Sequence, residues 1–138
     1  VYLLNDAANL LIERRAESQA EKLLLRAANS QPPAIETDDE AFEQNFVNSR
    51  SNWDMERAKS YYQLGFLYGL SGYFGRAIDY SRRAIETDSS LAEAYINLVS
   101  GYLSSGQIEL GRETYRLAKE KFPANEVLDQ LSRLLNDQ

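Results

Sequence analysis

Cysteine and histidine are both absent from the 138 residues. Their absence removes thiolate nucleophiles, disulfides, imidazole bases and the usual ligands of zinc and copper together. The chain also lacks a Gly-x-Ser-x-Gly turn, a Walker loop and a Gly-x-Gly-x-x-Gly fingerprint, so the common frames for acyl transfer and nucleotide binding are missing. The acidic run Asp38, Asp39, Glu40 has neither the alternating spacing nor the central glycine of an EF-hand loop and reads as the solvated start of a helix. We therefore expect no enzyme and no catalytic, cofactor or metal site. Positive charge is scarce as well: 15 basic residues stand against 21 acidic ones, for a net charge of -6. Nucleic acid and anionic membrane surfaces are poor partners for such a chain, because both are held by clustered Lys and Arg. No apolar run approaches the roughly 18 residues of a membrane span, and the first residues lack the pattern of a signal peptide. The start at Val1, already inside a helical pattern, leads to the expectation of a soluble segment of a longer protein, with its compartment open.

What is present is a hydrophobic fraction of 43%, enough for one domain with an ordinary core. Apolar residues recur at helical spacing almost throughout, which predicts an all-α chain. Leu3, Leu4, Ala7, Ala8 and Leu11 mark a first helix, and Leu24, Leu25 and Ala28 a second that closes before Pro32 and Pro33. Thr37 with Glu40 forms a capping-box pattern that opens a short helix carrying Phe42 and Phe46. Ser51 with Asp54 reads as a further start, and Ser90 with Glu93 as another capping box. The last helix follows Asn125 and carries Leu128, Leu131 and Leu135 on one stripe.

Residues 63–77, QLGFLYGLSGYFGRA, crowd four of the chain's 7 glycines among four aromatics. A glycine inside a helix costs about 1 kcal/mol relative to alanine, so each implies a turn, a close approach or an empty space. A longer regularity accounts for most of them. Leu64 and Leu98, Tyr68 and Tyr102, Gly72 and Gly106, and Ala84 and Ala118 are pairs of like residues that all share one spacing along the chain. With Tyr61, Leu64, Gly65, Tyr68, Gly72, Ala77 and Ala84 in one period, and Tyr95, Leu98, Tyr102, Gly106, Tyr115, Ala118 and Pro123 in the next, the chain resembles the tetratricopeptide repeat, a helix-turn-helix unit of about 34 residues. A fainter copy runs through Leu4, Leu11, Ala20, Leu24, Ala27 and Pro32. Ala27 and Ala84 are separated by one such period plus the length of the segment 35–57, so 35–57 reads as an insertion with a net charge of -5. The departures from the family pattern are Ser81 for an aromatic, Ser89 for proline, Val99 for glycine and Gly111 for alanine.

The resemblance implies a right-handed helical solenoid: repeats at 1–34, 58–91 and 92–125, an acidic helical insertion at 35–57 and a capping helix from 126 to 138. It implies that Gly65 and Ala77 face each other where two helices cross, and that Gly72 ends a helix in a left-handed turn. It also implies a binding module whose first helices line a concave groove for a peptide or helix of another protein. By that analogy the partner-binding residues are Asn5, Asn9, Lys59, Tyr62, Phe66, Gly69, Leu70, Ile96, Asn97, Ser100 and Leu103, with Gly69 leaving a notch beside the apolar floor. The family's carboxylate clamp is not expected, because Asn5, Glu93 and Asn97 stand where its cations belong. The cationic side chains of the second helices, from Arg76 to Lys121, read as a solvated convex face. The alternative is a self-associating or regulatory module, a homo-oligomer or a chain whose own insertion lids the groove through Phe42 and Phe46.

Overall fold

The computed structural model describes residues 17–31 and 40–136, with side chains from 18–31 and 52–136. Within these residues every regular element is helical: α1 Glu17–Ala28, α2 Glu40–Leu70, α3 Phe74–Thr87, α4 Ala92–Ser104, α5 Ile108–Lys121 and α6 Glu126–Asn136. None of these helices is long and apolar enough to cross a membrane. The first expected helix, with Asn5 and Asn9, and the Thr37 cap lie outside the described residues, as do the side chains of Phe42 and Phe46.

The sequence period is written into the element boundaries. Helix α3 runs from Phe74 to Thr87 and α5 from Ile108 to Lys121, offset by one period at both ends. The turns repeat with the same bonds. Gly72 has φ 81° and Gly106 φ 78°, each in the left-handed region that glycine enters without a Cβ penalty. At the first, the Tyr73 amide donates to the Tyr68 carbonyl at 2.9 Å and the Gly72 amide to Gly69 at 3.2 Å. At the second, Gln107 donates to Tyr102 at 2.8 Å and Gly106 to Leu103 at 3.1 Å. This is a Schellman closure made twice, one period apart.

The stack is held by contacts between successive units. Leu24 and Ala28 of α1 pack with Leu64 and Tyr68 of α2 and Ala77 of α3. Ile78 packs with Leu98 and Tyr102 of α4. Val99, Ala118, Leu128 and Leu131 close the far end. The two equivalent tyrosines both reach back to the preceding helix. Tyr68 donates to Glu21 Oε1 at 2.6 Å, while Tyr102 Oη accepts from Arg82 Nη2 at 2.6 Å. Burial foremost, and then the Glu21 hydrogen bond and charge, push the Tyr68 phenol up to about 12.

Two expectations are corrected. No helix starts at Ser51, because α2 is continuous for 31 residues. Ser51 and Asn52 cost a helix only a few tenths of a kcal/mol each, and no Gly or Pro interrupts 40–64, so nothing stops the hydrogen-bond ladder. Part of the acidic stretch is thus the beginning of the long helix, and its Trp53 Nε1 and Arg57 Nη2 donate to the Ser30 carbonyl just beyond α1, at 3.4 and 2.6 Å. Nor does Ser90 form a capping box with Glu93. Its amide and hydroxyl both go to Asp88 Oδ1, at 2.9 and 2.6 Å, and the residue before α4 is Leu91. At α6, by contrast, Asn125 Oδ1 accepts from the amides of Val127 and Leu128 at 3.1 Å, the ordinary N-cap arrangement. On the cationic face Arg76, Arg82 and Arg83 are exposed, with Arg76 over the rings of Tyr68 and Tyr73 and Arg83 over that of Tyr80, at 5.1–5.7 Å from the ring centroids. These are cation–π distances.

Candidate functional site

A cavity of about 260 Å³ opens between the C-terminal half of α2 and α4. Its shape follows from small residues. Gly65 sits so close to α3 that an added Cβ would stand 2.7 Å from Ser81 Oγ and 3.1 Å from the Ala77 carbonyl oxygen. One turn on, Gly69 has only Ala77 Cβ within reach, at 3.9 Å. The glycine at 65 therefore permits the helix crossing, and the glycine at 69 leaves open space above it. On the opposite wall Gly101 lies against Ile78, whose Cγ1 would be 3.0 Å from a Cβ there, so α4 also approaches closely.

Six of the residues expected to line a groove meet here: Phe66, Gly69, Leu70, Ile96, Asn97 and Ser100. Phe66 and Leu70 are 45% and 58% exposed, large apolar side chains left in contact with water on the cavity's edge. Asn97 Nδ2 donates to the Tyr62 carbonyl at 2.9 Å, fixing α4 to α2 at the cavity's end. Phe74, Ser104, Gly65, Ala77 and Gly101 complete the wall. Sequence reasoning missed them as lining, although Ser104 is one period from Leu70. Phe74 opens α3 directly after the Gly72 turn, which returns the chain to the end of α2.

The remaining expected residues lie elsewhere. Leu103 is half-buried and packs on the cluster of Val99, Ala118 and Leu128, and its Cδ2 would be 3.2 Å from a Cβ at Gly111. It belongs to the packing between α4 and α5, because the 13-residue α4 turns it away from the cavity wall formed by Ser100 and Ser104. Lys59 Nζ is 2.7 Å from Glu56 Oε1, and Tyr62 does not line the cavity. Its phenol is pushed up in pKa, first by burial and then by the Glu93 carboxylate, against the opposing Lys59 charge. Asn5 and Asn9 lie outside the described residues.

Among the described residues no charged side chain lines the cavity. Its chemistry is that of an apolar receptacle with Asn and Ser groups along one wall, able to shelter a hydrophobic side chain and hydrogen-bond its backbone.

Comparison with known proteins agrees with this architecture. Residues 58–90 match the model of the tetratricopeptide repeat. No curated protein matches the chain. Among solved structures, the chain is similar to the C-terminal TPR-containing domain of a candidate FK506-binding protein of Plasmodium falciparum, with a TM-score of 0.72 and 16% identity over 99% of this chain and 85% of that one. At that identity the likeness speaks for the fold.

Proposed function

We propose that this chain, which matches the tetratricopeptide repeat over 58–90 and has a fold of a kind that generally mediates contacts between proteins, is a non-enzymatic scaffold module that holds a peptide or helix of a partner protein in the cavity between α2 and α4. The observation that supports this reading is the pairing of exposed Phe66 and Leu70 with the space above Gly69. Large apolar side chains left at a concave site are where binding energy concentrates. In this reading the array comprises units at 1–34, 58–91 and 92–125, with 35–57 inserted and the helix after 126 acting as its cap.

The test is a titration of isotope-labelled protein with a binding peptide, followed by NMR. Shift changes should concentrate at 65–70 and 96–101. Phe66→Asp should weaken binding tenfold or more, about 1.4 kcal/mol, with the helical circular dichroism intact. An unfolded Phe66→Asp protein would show that the side chain supports the core and overturn the reading. A concentration-dependent dimer that Phe66→Asp dissolves would favour self-association through the same cavity.

A further inference from the structure

Helix α6 starts one period after α4, so each of its residues has a counterpart one period earlier. The counterparts of Tyr95 and Val99, which α4 turns toward the helices that follow it, are Asp129 and Arg133. The side of α6 on which a following helix of the repeat would pack is therefore polar. Its apolar side is filled: Leu128, Leu131 and Leu135 are buried against the array. Two large apolar residues belong to neither side, Val127 at 45% exposed and Leu134 at 54%. Their counterparts are Glu93 and Ser100, and Ser100 in turn is the counterpart of Phe66. Phe66, Ser100 and Leu134 thus share one register position on the alternate helices α2, α4 and α6, two exposed apolar side chains on either side of a small one. Ile96 joins the two parts, since it lines the cavity and also packs toward the cluster that contains Leu128 and Leu131.

Charge marks one edge of this face. Glu93 is exposed at the first turn of α4 and takes part in no ion pair among the described residues, whereas the nearby cation Lys59 is held by Glu56. The carboxylate acts across the groove, since it helps to raise the pKa of Tyr62 on α2. Among the described residues the middle of the face has no charged group to satisfy a charged ligand, and burying an unpaired charge there is costly.

Building on the groove reading above, we infer that the docking face continues from the cavity over α6 to Leu134, and that its occupant is an apolar segment of another protein with a Lys or Arg at the end that lies by Glu93. Helices pack with axes about 8–10 Å apart, so three of them span about 20 Å. An extended peptide of about a dozen residues covers that distance at roughly 3.3 Å per residue, and a helical one needs about 14 residues at about 1.5 Å each.

The experiment is selection of a random dodecapeptide displayed library on the immobilised chain, followed by fluorescence anisotropy of individual selected peptides. The selected sequences are expected to combine apolar residues with a terminal Lys or Arg. Leu134→Asp is expected to weaken their binding tenfold or more, with Val127→Ser as a milder second variant should the first lose helicity. Glu93→Lys should reverse the preference for the basic end. Leu117→Asp, on an exposed residue of α5 away from this row, should change affinity less than twofold. Binding lost in Phe66→Asp but kept in both Leu134→Asp and Val127→Ser would leave the cavity reading standing and overturn its extension over α6. Binding indifferent to Phe66→Asp as well would overturn the cavity reading itself. Selected peptides with acidic ends, or none at all, would overturn the stated chemistry. A dimer dissolved by Leu134→Asp would replace the foreign segment with a second copy.

Discussion

Two successive units, the helix pairs α2–α3 and α4–α5, cross with different residues at equivalent positions. In the first, α2 supplies Gly65 and α3 supplies Ala77 and Ser81, with Ser81 Oγ donating to the Ala77 carbonyl at 2.7 Å. In the second, the same three positions are Val99, Gly111 and Tyr115. Val99 is fully buried, and Gly111 on α5 faces Leu103 and Tyr102. Each crossing thus has one glycine at these positions, on the first helix of one pair and on the second helix of the other. The two departures from the family pattern, valine for glycine and glycine for alanine, exchange the helix that carries it.

The sharpest way to break this comparison is to give the first unit the second unit's residue. Gly65→Val places methyl groups where a bare Cβ already meets Ser81 Oγ and backbone, and should cost about 3 kcal/mol, the upper end of ordinary overpacking. Urea denaturation should show the midpoint falling with the slope unchanged. Adding Ser81→Ala removes the nearest atom and should restore part of the loss. No restoration would identify the α3 backbone as the barrier.

A smaller effect is expected where the units agree. Gly72→Ala and Gly106→Ala each force a Cβ into the left-handed region with nothing near it, so each should cost about 1–2 kcal/mol and the two losses should match. Unequal losses in thermal melts would mean that the turns are not equivalent in energy.

The smallest effect separates the two back-reaching tyrosines. An unperturbed phenol titrates near 10, whereas Tyr68 is pushed up to about 12. Between those values the folded state holds a proton that the unfolded state has released. The stability this group contributes is therefore complete below about pH 10 and is lost as pH rises from there through about 12. Melting temperature should fall across this window in the wild type and fall less steeply in Tyr68→Phe. Equal slopes would remove Tyr68 as the source.

The period, the two glycine turns and the close approach at Gly65 were legible because each rests on a local constraint that only one residue type meets well. The candidate site was legible to the extent that it repeats: Phe66 and Ser100 share a register and both line the cavity, whereas of Tyr62 and Ile96, equally in register, only Ile96 does. Leu103 misled because a leucine near a groove-facing position is equally at home in the neighbouring interface, and only the packing against Gly111 decides. Phe74 carried no periodic signal, since its role follows from the Gly72 turn folding α3 back over the end of α2. The continuity of α2 was illegible for a different reason. A cap pattern such as Ser51 with Asp54 marks where a helix can start, not where one must.

That continuity has a mechanical meaning. At about 1.5 Å per residue, α2 is a strut of about 46 Å, and between 40 and 64 it contains no glycine or proline at which sharp kinks form. Trp53 and Arg57 clamp it to the end of α1, while Phe66 and Leu70 stand at its other end beside the cavity. A load applied near Glu40 therefore reaches the cavity wall as tilt, with no hinge between to absorb it. The stiffness of this single rod ties the part of the acidic stretch from Glu40 onward to the receptacle.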